Sequence, residues 1–168
     1  MRIKKPILFT TLVFPGSGKT YFARRFAKQL GIVHLNSDKV RSELFKKPKY
    51  TPREHKAVFE EMDRRVEKLL SQGKSVIYDA NHIKRAFRKK YQAMAKKYGA
   101  RYLLMWFQVP INVAIGRTTR RKPFFNKWVV LRMRKATEPP TKSEPHVIID
   151  GEKPYKEQVK ALKKFLVE

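Results

Sequence analysis

Between Leu12 and Thr20 the chain reads LVFPGSGKT. A turn made of Pro15, Gly16, Ser17 and Gly18, followed by Lys19, Thr20 and Tyr21, can aim backbone N–H groups at phosphate oxygens where a helix begins. Lys19 then reaches the β and γ phosphates, and the Thr20 hydroxyl serves a magnesium ion, so the motif points to ATP and Mg2+. The full pattern opens with glycine where this chain has Val13. The groups that face phosphate run from Gly16 to Thr20, so Val13 bears on how the chain enters the loop. Lys19→Ala is expected to abolish ATP-dependent activity, and Val13→Gly to preserve or improve it.

Two more carboxylates stand where such a loop would need them. In LNSDKVR, Asp38 precedes Arg41 by three positions. Both can leave the first helical turn toward one cleft, Asp38 to accept the proton of an attacking hydroxyl and Arg41 to hold a phosphate of the acceptor. A helix N-cap is the competing reading of Asp38. Asp79 closes the apolar run VIYD, with Asn81 close behind, and is placed to orient magnesium or its waters. The stretch RTTRRK supplies Arg117, Arg120 and Arg121 as candidates for an arginine-rich lid that closes over the γ phosphate. A solvated basic helix end explains the same residues. His34, His55, His82 and His146 have no metal-ligand spacing and are assigned no chemistry.

The elements that must position these groups alternate. Ile7 to Val13 is a continuous apolar and β-branched run, as in a central parallel strand covered on both faces. Phe22, Ala23, Phe26, Ala27 and Leu30 then recur at helical spacing up to Gly31. A strand over Ile32 to Leu35 leads to a helix capped by Ser37 or Asp38 and carrying Val40, Leu44 and Phe45. Thr51-Pro52-Arg53-Glu54 has the form of a capping box ahead of a long helix ending at Gly73. Strands follow at Ser75 to Tyr78, Arg101 to Val109 and His146 to Asp150. Helices follow from about Ile83 to Tyr98, Pro110 to Arg121, Lys127 to Ala136 and Tyr155 to Leu166, with a basic break at KPFFN. The expected fold class is α/β, a five-stranded parallel sheet flanked by helices, with ligands at the carboxyl ends of the strands.

With 168 residues, 42% of them hydrophobic, the chain is expected to form one domain spanning residues 1–168. The 40 Lys and Arg against 14 Asp and Glu give a net charge of +26, with clusters in MRIKK, KRAFRKK, RTTRRK and RMRK. Such an imbalance points to a polyanion, nucleic acid before an anionic membrane surface. The absence of cysteine excludes disulfides, thiolate catalysis and cysteine-held metal centres. MRIKKPILFTTLVF imitates a signal peptide but has no small-residue cleavage site before Lys19, and is read as a strand. No run reaches the roughly 20 apolar residues of a membrane span, so a cytoplasmic location is expected.

Taken together, PGSGKT, LNSDKVR, VIYDANHIKR and the arginine-rich stretch after VPINVAIGR resemble the predicted P-loop kinases that include the 5'-hydroxyl polynucleotide kinase domain of phage and related repair enzymes. The likeness runs from about Ile7 to Arg121. It implies an adenylate-kinase-like sheet, Asp38 as general base, Arg41 on the acceptor phosphate, Lys19 and Thr20 on ATP and magnesium, and Asp79 as the strand-end acid. That family also contains kinases of small molecules. The leading expectation is therefore an ATP- and magnesium-dependent kinase of a nucleic-acid hydroxyl, above all a 5' end. The alternatives are a kinase of a small metabolite or nucleotide, and a nucleic-acid-binding module with a non-catalytic loop.

Overall fold

Strand β1 (Ile7–Leu12) is buried at every position, because helices cover both of its faces. It pairs with β3 (Val76–Asp79) on one side and β4 (Arg101–Gln108) on the other, while β2 (Val33–Asn36) and β5 (His146–Asp150) form the edges. The order is β2-β3-β1-β4-β5 and every pairing is parallel. This computed structural model describes residues 5–13, 16–121 and 127–166, without the side chains of residues 119 and 121. The KPFFN break and Pro15 lie outside the described residues.

Successive residues of β1 serve opposite layers. Ile7 and Phe9 face a core shared with helix α1 (Lys19–Leu30) and helix α7 (Tyr155–Leu166), where Phe22 and Phe26 stack with ring centroids 5.2 Å apart. Leu8 faces the other core, built with Val58, Met62 and Val66 of α3 (Pro52–Ser71) and Tyr91 of α4 (Arg85–Lys97). Helices α2 (Ser37–Leu44), α5 (Ile111–Arg121) and α6 (Lys127–Ala136) complete the described elements. The strand order changes direction at β1, which opens a crevice over its carboxyl end. Among the described residues, no helix is long and apolar enough to cross a membrane.

The cap of α2 and the Glu54 half of the α3 capping box differ from the expected ones. The side chain that caps α2 is Asn36, whose Oδ1 accepts from the Lys39 N–H at 3.0 Å; Ser37 and Asp38 lie inside the first turn. Asp38 is thus released from capping. At α3, Thr51 does accept from the Glu54 N–H at 3.3 Å, with Pro52 at the first helical position. The Glu54 carboxylate, however, goes to Lys49, Tyr50 and Arg41.

Candidate active site

Gly16 and Gly18 both sit at φ 84, a left-handed conformation that side chains other than glycine's rarely tolerate. Gly18 is the N-cap of α1 and offers no side-chain cap, so the N–H groups of Lys19, Thr20 and Tyr21 look outward for an acceptor. The loop is gripped from two sides. A Cβ on Gly16 would lie 2.4 Å from the Ala114 carbonyl oxygen of α5, and one on Gly151, beyond β5, would lie 2.6 Å from the Ser17 carbonyl oxygen. Arg117 fastens these pieces, with Nη1 donating to the carbonyls of Gly151 at 3.1 Å and Gly16 at 3.4 Å.

The departure at Val13 is absorbed by packing. Its side chain is 3% exposed within the core that holds Phe22 and Phe26, and its N–H donates to Asn81 Oδ1 at 3.3 Å. Glycine there would remove core contacts, a cost in stability that stands apart from the expected effect of Val13→Gly on activity.

Asp79, wholly buried at the end of β3, gathers the neighbouring strand ends. Its Oδ1 meets Lys19 Nζ at 2.9 Å, while Oδ2 accepts from Asn36 Nδ2 at 2.8 Å and His34 Nε2 at 2.9 Å. Burial pushes the carboxyl up, yet the hydrogen bond from His34, the Lys19 ammonium and Asn36 outweigh it and hold Asp79 ionised, well below the usual carboxylate range. Asn36 stands opposite Asp79 in the parallel register, and His34 precedes it on the same face of β2. These two partners were missed from the sequence; their period-two spacing was the available signal. Beside them His82 is fully buried and donates from Nδ1 to the Thr11 carbonyl at 3.1 Å, and burial pushes its imidazole down to about 3.

Across the crevice, Asp38 is exposed and Arg41 is 3% exposed. Three neighbours hold the Arg41 guanidinium: Glu54 Oε2 at 3.4 Å, His55 Nδ1 at 2.9 Å, and the Tyr50 ring, whose centroid is 4.7 Å away. His55 must accept in that bond, so its proton sits on Nε2. Burial and then the Arg41 charge push its pKa down, which keeps the ring neutral. Burial pushes the Glu54 carboxyl up, but the backbone N–H groups of Lys49 and Tyr50, and then Arg41, bring it below its usual value.

One cavity of about 460 Å³ joins the two halves, lined by Gly16, Ser17, Gly18, Lys19, Thr20 and Tyr21 on one side and by Asp38, Arg41, Tyr50 and His55 on the other. Asp79 is not among the residues lining this cavity but pairs with Lys19, which is. Arg117 and Arg120 are not among its lining residues; Arg120 is exposed, and the Arg121 side chain lies outside the description. A lid of arginines over the cavity is therefore not seen among the described residues. No group of three His, Asp or Glu that could cage a metal is found among them either. Of the two residues expected to serve a metal, Thr20 lines the cavity and Asp79 contacts Lys19 from outside the lining.

Residues 14–140 match the family model of an AAA domain, AAA_33. The chain belongs to that family. The AAA_33 assignment covers the loop, both candidate carboxylates and helices α1 to α6. No curated protein matches the chain. Among solved structures, a putative kinase from Chloroflexus aurantiacus superposes with a TM-score of 0.76 at 15% identity, covering 96% of each chain. A gluconokinase from Sinorhizobium meliloti gives 0.71 at 17% identity, over 99% of this chain and 93% of that one. A chain of the Pnkp1/Rnl/Hen1 RNA repair complex gives 0.67 at 23% identity, over 79% of this chain and 44% of that one. The fold is that of P-loop kinases.

Proposed function

We propose that this AAA_33 domain transfers the γ-phosphoryl group of ATP to a hydroxyl of a nucleic acid, a 5' end above all. The observation that carries the reading is the single cavity in which the phosphate loop faces Asp38 and Arg41. Asp38 accepts the hydroxyl proton as the oxygen bonds to phosphorus and the bridging bond to ADP breaks. Lys19, paired with Asp79 until nucleotide binds, neutralises charge on the phosphates, and the first-turn N–H groups of α1 hold their oxygens. Magnesium, held by Thr20 together with the nucleotide and with Asp79 acting from behind Lys19, would add charge neutralisation there. Arg117, Arg120 and Arg121 are the candidates for an arginine that closes over the transferring group once nucleotide is bound; before that, Arg117 braces the loop through the Gly16 and Gly151 carbonyls.

The net charge of +26 supports a polymeric acceptor, as does the likeness to a chain of an RNA repair complex. A cytoplasmic location goes with this reading. The near full-length likeness to a gluconokinase favours the second reading, a kinase of a small metabolite. Incubation with labelled ATP and a panel of 5'-hydroxyl DNA and RNA oligonucleotides, gluconate and nucleosides separates them. Label on an oligonucleotide supports the first; label on gluconate or a nucleoside alone rejects it.

A further inference from the structure

The acceptor half of the cavity has a feature that phosphoryl transfer alone does not require. Tyr50 sits at φ 56, a backbone conformation that an aromatic residue adopts only under constraint. The constraint is visible: the buried Glu54 carboxylate accepts from the Tyr50 N–H at 2.7 Å and the Lys49 N–H at 3.0 Å while also holding Arg41. The outcome is a residue kept 45% exposed in the cavity wall, with its ring set against the Arg41 guanidinium. Phe59, Ile83 and Met133 line the same cavity. The polar groups of the lining, Ser37, Asp38, His55 and Asn81, can meet hydroxyls, while a flat aromatic base presents faces that the Tyr50 ring and a guanidinium accept whatever its sequence.

We infer that Tyr50, backed by Arg41 and sharing the cavity with Phe59, Ile83 and Met133, is a stacking subsite for the nucleobase of the acceptor's terminal nucleotide. The inference rests on the reading of the acceptor as a nucleic acid and names what recognises it. Tyr50 is then a specificity-determining residue for the acceptor and has no role toward ATP.

The test is a cycle of two changes: Tyr50→Leu in the full chain, and removal of the 5'-terminal base from a 5'-hydroxyl oligonucleotide. Acceptor affinity is measured by anisotropy and by KM. Tyr50→Leu should weaken binding of the intact oligonucleotide about tenfold, as loss of one stacked base does. Removing the base should weaken binding to the unsubstituted protein about as much, and the variant should not distinguish intact from abasic acceptor. Tyr50→Phe should restore affinity, and the KM for ATP should stay constant. Equal losses on intact and abasic acceptors would mean that Tyr50 only supports Arg41, and unchanged affinity would mean that it does nothing; either overturns the inference while leaving the kinase reading intact. If the unsubstituted protein phosphorylates no oligonucleotide, it is the kinase reading that falls, before any variant is made.

Discussion

Val13 serves the core more than the phosphate loop. Its side chain is 3% exposed, so Val13→Gly should cost about 3 kcal/mol, the sum of a lost buried valine and a freer unfolded backbone. Urea unfolding measures it, and a change within experimental error would show that the loop entry tolerates glycine. His82 makes a prediction about acid. Its buried imidazole is pushed down to about 3 from the ordinary 6.5, so below pH 6.5 the unfolded chain takes up a proton that the folded chain excludes. Stability should therefore be full above pH 6.5 and fall as pH drops toward 3, by at most about 1.4 kcal/mol per pH unit. His55, pushed down by burial and Arg41, adds to the slope with the same sign. The Asp79 contribution is also lost in acid, but below its ordinary carboxylate value. His82→Asn, which keeps a donor for the Thr11 carbonyl, should remove the larger part of the Tm slope between pH 6.5 and 5; an unaltered slope would contradict this. Neither role of these side chains was visible in the sequence, since burial is a property of the assembled layers.

At the scale of elements, hydrophobic period was enough to place the strands and helices to within a residue or two, because β1 needs apolar residues on both faces and α1 on only one. Capping was harder to read. Asn36, Ser37 and Asp38 are all competent caps, and only the backbone geometry selects Asn36 and leaves Asp38 for the cavity. Glu54 likewise fits a capping box by spacing, but an arginine buried beside it draws the carboxylate away. The contacts that brace the phosphate loop come from residues far along the chain, Arg117 and Gly151, and no local pattern announces them. Their importance is testable. Gly151→Ala would place a methyl group 2.6 Å from the Ser17 carbonyl oxygen, so the loop must shift. ATP affinity, read as a thermal shift on nucleotide addition, should fall about tenfold, the loss of one charge-assisted hydrogen bond. Unchanged affinity would show that the clasp has slack.

For the whole molecule, charge and cavity point the same way. The donor half was readable because one contiguous segment, Gly16 to Tyr21, builds it. The half read as the acceptor side was legible only at Asp38 and Arg41, since the stretch Tyr50 to Phe59 meets Ile83 and Met133 from distant parts of the chain. A surface of +26 should make oligonucleotide binding strongly salt-dependent, weakening at least about tenfold between ~50 and ~200 mM salt, whereas binding of ATP alone should weaken far less. Equal salt dependence for both would place the acceptor among small molecules. The most direct measurement of the central claim is transfer of label from γ-labelled ATP to a 5'-hydroxyl oligonucleotide by the unsubstituted protein, Lys19→Ala and Asp38→Asn. The account predicts 5'-end label with the first, none with Lys19→Ala, and a loss of at least about a hundredfold in kcat with unchanged ATP binding for Asp38→Asn. Full activity in Asp38→Asn, or no label with any oligonucleotide, would contradict it.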